Sequence, residues 1–148
     1  MSAPVSHPIA LERVFFTKCM VSAVADHVPS GLVAEVPGPV NTLDVKKDPN
    51  RTNGYIGVMK TVLNSDMDKA TPYSIEMVCF GEFSVEPSLS DDEAHRGVTI
   101  TAHSVLYGAI RECVSWMTGR QPYGPLILGL SVLQSQRASS AEPDSANT

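Results

Sequence analysis

The stretch TITAHSVLYGAIRECVSWMTGRQPYGPLILGLSVL, Thr99 to Leu133, decides the fold. Its first half predicts a long helix. Leu106, Ile110, Cys113 and Met117 recur at i, i+4, i+7 and i+11, one face of the helical period. Tyr107 and Val114 widen that face. The opposite stripe, Ser104, Gly108, Arg111, Ser115 and Thr118, is polar, small and almost uncharged. A water-facing stripe usually carries Lys and Glu. The helix is therefore expected to be covered on both sides, by its own sheet and by a second surface. Gly119 stands where a left-handed C-cap would end the helix, and Pro122 forbids its continuation.

Working outward, GRQPYGPLILGL after the helix reads as extended chain, and 131–137 as a short closing helix. Upstream, 86–97 is acidic and turn-prone. SLSDDE within it has the composition of a helix N-terminus, so a short helix or turn is expected before the long one. Tyr73 to Val85 alternates Tyr73, Ile75, Met77, Cys79, Phe83 and Val85 with Ser74, Glu76, Glu82 and Ser84, a strand with one face in a core. Tyr55 to Leu63 is a second strand, rich in β-branched residues. Leu11 to Val24, LERVFFTKCMVSAV, is a third. Strict alternation there sends Val14, Phe16, Met20 and Val24 one way and Leu11, Phe15, Cys19 and Val21 the other, leaving apolar groups on both faces.

Between the strands Leu11 to Val24 and Tyr55 to Leu63 lies an unusual segment, 25–53. Pro29, Gly31, Pro37, Gly38, Pro39 and Pro49 punctuate it too often for a helix. Val28, Leu32, Val33, Val36, Val40, Leu43 and Val45 keep it apolar, and 40–45 reads as a short strand. The rest is a long crossover loop. Its valines either pack onto the domain or roof a binding groove. Strands followed by helices make the fold class α+β: a four-stranded antiparallel sheet, a long crossover loop after strand 1, and one long and one short helix packed on one face.

With 148 residues the chain suits one domain, here 9–137, between a flexible N-terminus at 1–8 and a disordered tail at 138–148 that lacks large apolar groups. Net charge is -5 with no basic cluster, which argues against a nucleic-acid partner. No apolar run approaches about 18 residues, so no membrane insertion is expected. The N-terminus lacks the pattern of a signal peptide. Cys19, Cys79 and Cys113 are odd in number and sit in apolar segments, as reduced, buried thiols of a cytoplasmic protein would. A Cys113–His103 nucleophile pair fails on geometry, because ten helical residues separate the two by about 15 Å along the axis. His7, His27, His95, His103 and the cysteines show no metal-ligand spacing. Neither a catalytic site, a metal site nor a cofactor is expected, although a small-ligand protein or enzyme on a similar α+β frame stands as the alternative.

LYGAIRECVSWMTGRQPYGPLILGLSVL resembles the corresponding stretch of the SecB family of tetrameric export chaperones. There a long helix with a Tyr-Ala-Arg-Glu-like core runs through an Arg-Gly turn into an aromatic, Pro/Leu-rich extension. Arg111-Glu112 holds the Arg-Glu position, Tyr107 falls one residue further away than usual, and Gly119-Arg120 reverses the turn. LERVFFTK resembles the family's first strand. The likeness spans roughly 9–136.

The resemblance implies a SecB-like fold and a homotetramer built as a dimer of dimers, its long helices between the dimers. It implies an ATP-independent holdase that binds unfolded or extended client polypeptides in apolar grooves. Solitary relatives serve the antitoxins of toxin–antitoxin systems. Mapped onto this sequence, the client groove takes Phe16, Val28, Leu32, Val33, Val36, Val40, Leu43, Val45 and Tyr55. The uncharged helix stripe supplies Ser104, Gly108, Arg111 and Ser115 to the oligomer interface. Export members carry acids after the Thr-Lys of the first strand that help dock the motor SecA. Here Cys19, Met20, Val21, Ser22 and Ala23 follow Lys18, so SecA docking is doubtful.

Overall fold

The computed structural model describes residues 7–28, 38–131 and 133. Strand β1 is Ile9–Ala23, β2 Val40–Lys47, β3 Gly54–Leu63 and β4 Tyr73–Val85, followed by helix α1, Asp91–Thr118. All strand pairs are antiparallel, in the order β1-β4-β3-β2. β2, β3 and β4 form a meander, while β1 closes the far edge against β4. The chain leaving β1 therefore crosses three strand spacings, about 14 Å, to begin β2.

β3 and β4 alternate strictly. Tyr55, Met59, Thr61 and Leu63 on β3 share a buried face with Tyr73, Ile75, Met77, Cys79, Phe83 and Val85 on β4. Helix α1 lies on that face and sinks Val98, Ala102, Leu106, Ile110 and Val114 into it. Each large apolar side chain so buried contributes roughly 1.5–3 kcal/mol. Glycine lets the layers close: a Cβ on Gly81 would sit 2.7 Å from the Phe83 ring and 3.0 Å from Leu106.

β1 departs from the expected alternation. Its register with β4 shifts between Leu11 and Arg13 and again between Phe16 and Lys18. Each shift spends one extra residue and reverses the side-chain parity. The register consequently puts Leu11, Val14, Phe16, Cys19 and Val21 on the helix side and Phe15 and Met20 on the open side. Phe15 stacks on Phe80 there, ring centroids 5.3 Å apart, and Arg13 covers Phe15.

The short element expected before the long helix is the helix's own first turn. Ser90 is the N-cap, its side chain accepting from the Glu93 amide while the Glu93 carboxylate accepts from the Ser90 amide. The helix then runs straight through Gly97, where the missing side chain admits Ile9; a Cβ there would lie 2.5 Å from Ile9 Cδ1. At the other end Gly119 is right-handed, with φ -59° and ψ -18°, not the left-handed cap the sequence suggests. The Arg120 and Gln121 amides bond back to Met117 and Thr118 carbonyls, and Pro122 ends the turn. Ser131 and Leu133 are not helical, and the rest of the expected closing helix lies outside the described residues.

Candidate functional site

The segment after α1 is extended chain strapped back over the fold by side chains that grip its backbone. Tyr73 Oη accepts from the Tyr123 amide at 3.1 Å and lies 2.7 Å from the Gly124 carbonyl. The Leu126 amide donates to Thr118 Oγ1 at 2.8 Å. This accounts for Thr118, which the helical pattern places on the outer stripe: it is fully buried beneath the strap. Arg111 Nε donates to the Leu128 carbonyl at 2.8 Å, and the Tyr107 hydroxyl donates to the Gly129 carbonyl. His103 Nε2 and Asn41 Nδ2 meet Ser131 Oγ at 3.2 and 3.3 Å, and Asn41 Oδ1 accepts from Thr61 Oγ1. The strap thus passes from the C-terminus of α1 to the start of β2. It buries Leu128 and leaves Ile127 and Leu130 70% and 85% exposed.

Within one residue of the Asn41–Ser131 bond, on either side, stand Leu130 and Val40, the latter also exposed. Val28 is exposed at this same end of the sheet, its amide bonded to the Lys69 carbonyl in the β3–β4 turn. Tyr123, half out of the surface, stacks edge-on against His27 beside it. Val28, Val40, Tyr123, Ile127 and Leu130 are therefore all exposed at the end of the sheet where the crossover leaves and rejoins it; Val40, one residue from the inward-facing Asn41, turns to the open face, away from the strap. Sequence reasoning missed the strap's share, although the consecutive apolar run Leu126-Ile127-Leu128, which in extended chain must turn one side chain outward, carries the signal.

The other groove candidates are dispersed. Leu43 and Val45 are half-buried on the helix side of β2. Phe16 is on the helix side of β1, at the opposite edge of the sheet, so one chain does not bring it to Leu43. Tyr55 is a core residue, 3% exposed, because its parity on β3 matches that of Met59 and Leu63. Leu32, Val33 and Val36 lie outside the described residues.

Of the helix-stripe candidates, Ser104 and Gly108 are exposed, while Arg111 and Ser115 are half-buried. The outermost row is Ile100, Ser104, Gly108, Glu112 and Trp116. Trp116 is 61% exposed with Arg120 stacked 4.0 Å over its ring. Ser104, Gly108 and Arg111, with His103, Tyr107, Leu130 and Ser131, line a shallow cavity of about 190 Å³. A second cleft of about 240 Å³ at the start of α1 is crossed by the Lys47–Asp91 and Arg51–Asp48 ion pairs. Both fall below the roughly 300 Å³ of ordinary small-molecule sites.

On the open sheet face, Glu76 bridges Lys18 at 2.8 Å and Lys60 at 3.4 Å. The hydrogen bond from Lys18 is the main reason its carboxyl is held below the usual carboxylate range. That acid is thus partly neutralised where it stands. Among the described residues no group of three His, Cys, Asp or Glu is placed to hold a metal ion. No described helix is long and apolar enough to cross a membrane.

No family model and no curated protein matches the sequence. Solved structures do match the fold. The SecB-like chaperone Rv1957 of Mycobacterium tuberculosis, in complex with a ChAD peptide from the Rv1956 HigA1 antitoxin, superposes with a TM-score of 0.54 at 16% identity. The match covers 84% of this chain and 91% of that one. A protein of unknown function from Streptococcus agalactiae gives 0.53 at 15% identity over 85% and 100%. Four antiparallel strands in the order β1-β4-β3-β2 under one long helix make this a SecB-like fold.

Proposed function

We propose that this chain is an ATP-independent holdase that captures extended segments of unfolded polypeptide on the apolar surface around the strap. The observation that carries the reading is the exposure of Val28, Val40, Ile127 and Leu130 at one end of a SecB-like sheet. An unfolded client presents scattered large side chains in no fixed order. A surface serving it needs apolar area with little directional bonding, and several weak subsites add by multivalency. An antitoxin is one class of client this reading covers, since the neighbour holds an antitoxin peptide. The reading has no place for catalysis or a cofactor.

The experiment changes Val28, Val40 and Leu130 together to Ser and measures suppression of client aggregation at stoichiometric amounts, without nucleotide. Holding should weaken at least about tenfold, a loss of about 1.4 kcal/mol, while the melting temperature stays close to that of the parent. Unchanged holding by a folded variant would remove the surface from the proposal. No holding by the parent chain would remove the function.

The working assembly in this proposal is a tetramer made of two dimers, with Gly108, Arg111 and Ser115 near the dimer–dimer contact. It is supported by the outer row of α1, where Ile100 and Trp116 are exposed and Glu112 is the one carboxylate. Light scattering that finds a monomer at micromolar concentration would refute it. The same reading gives SecA weak or absent docking, because no acid follows Lys18 and Glu76 is already paired. Tight, salt-resistant binding to SecA in a titration would contradict that.

Among the described residues, the His103–Ser131 pair is the arrangement that most favours an enzyme. Ser131 Oγ is shared with Asn41, and the cavity beside it is about 190 Å³ and shallow. The pair reads as a clasp that seats the strap.

A further inference from the structure

We infer that Cys19 and Cys113 are an oxidation site, a thiol pair that hydrogen peroxide converts to a disulfide tying edge strand β1 to helix α1. The placement follows from three anchor points. Gly97 packs on Ile9, Leu106 reaches the backbone at Gly81, and the Thr118 carbonyl meets Tyr73 Oη at 3.3 Å. Helix α1 therefore runs antiparallel to β4, from the Val85 end to the Tyr73 end. Cys113 comes between Leu106 and Thr118, over the part of β4 that holds Met77. The register pairs Met77 with Cys19 of β1.

Cys19 faces the helix only because of the second register shift in β1. Counting in twos from Phe16 would turn it to the open face; the extra residue before Lys18 turns it inward. Cys19, on the helix side of β1, and Cys113, on the part of α1 that passes over Met77, then face one another, and Cys113 Sγ contacts the Met117 thioether at 3.7 Å.

The three cysteines differ in access. Cys19 is exposed, Cys113 half-buried and Cys79 fully buried. Desolvation pushes the Cys79 thiol up to about 11, which removes it as a reactive thiolate at neutral pH. Burial also raises Cys113, which leaves the exposed Cys19 as the thiol that meets peroxide first. In the first step the Cys19 thiolate attacks one oxygen of peroxide, the O–O bond breaks, and hydroxide leaves, so that Cys19 becomes a sulfenic acid. Cys113 sulfur then attacks Cys19 sulfur, the S–O bond breaks, and the thiol proton leaves with the hydroxyl group as water. Two thiols are oxidised and one peroxide is reduced to two waters. The bond formed is about 2.05 Å long and joins two side chains that the strand register and the helix placement bring to the same level of the sheet.

Trypsin separates the three cysteines onto peptides 19–46, 70–96 and 112–120. The experiment treats the full chain with hydrogen peroxide, blocks the remaining thiols and digests without reductant. Expected are an intact mass lower by two hydrogens, a single linked species joining 19–46 to 112–120, and a melting temperature that rises on oxidation and falls back with reductant. Cys19→Ser should abolish the link; because the residue is exposed, the variant should fold. Cys79→Ser should leave the link intact. A Cys19–Cys19 link between two copies, a link to Cys79, or Cys19 sulfinic acid with no link would each overturn the assignment.

Discussion

The central strands and the edge strands of the same sheet obey different rules. In β3 and β4 every second side chain is buried, and the pattern runs unbroken from end to end. In β1 and β2 most residues keep contact with water, and β1 changes face twice. A central strand is pinned by a neighbour on each side and by the helix above, so its parity is over-determined. An edge strand has one neighbour and can absorb a bulge at little cost. The apolar surface assigned to client binding, and the Cys19 thiol, belong to the loosely constrained part.

The largest expected effect is in the central part. Leu106→Ala should lose about 2–5 kcal/mol, because the side chain is fully buried between Gly57, Gly81 and the sheet. Leu130→Ala, at the strap, should stay within about 0.5 kcal/mol of the parent. Denaturant unfolding of the two variants checks the contrast, and equal losses would erase it. Next, Gly81→Ala should cost about 1–3 kcal/mol, since its Cβ would enter the Phe83 ring and Leu106.

Gly108→Ala should do the opposite within the single chain. Nothing lies within 4 Å of its Cβ, and replacing a helical glycine by alanine adds up to about 1 kcal/mol. If the outer row of α1 packs on another copy, as proposed, the same methyl should weaken the assembly. Light scattering and thermal melting on that variant should therefore move in opposite directions. The smallest effect concerns Glu76. Its carboxyl is held low by Lys18 and then Lys60, so the stabilisation it contributes is present above the unfolded-state carboxyl value. It is lost as pH falls through the depressed folded-state value. Glu76→Gln should lower stability slightly at neutral pH and converge with the parent in acid, so that the acid limb of the stability–pH curve is flattened; an identical curve would show the bridge to be inert.

Much of this was legible in the residues. Tyr73 to Val85 alternates cleanly and is a strand over that full range, and Tyr55 to Leu63 is extended by one residue. The candidate site was legible only in part. Val28 and Val40 are exposed as a binding surface requires, but Tyr55 obeys the same alternation as its neighbours and goes into the core. Cys19, read as buried, is exposed because β1 is an edge. Phe16 and Leu43 look like members of one apolar set, yet strand order separates them.

What the sequence by itself determined is whatever depends on near neighbours along the chain: the strands of the meander, the long helix, the N-cap signal at Ser90, and the α+β class. Side-chain period and capping are local and need no partner from elsewhere. Tertiary structure alone decided the parity of β1, the passage of the helix through Gly97, the burial of Thr118 and the route of the strap. Each depends on a group outside the element itself, respectively β4, Ile9, the Leu126 amide and Asn41. A register shift or a backbone clasp is stabilised by contacts that exist only once the sheet is assembled, and no periodicity in the chain encodes them.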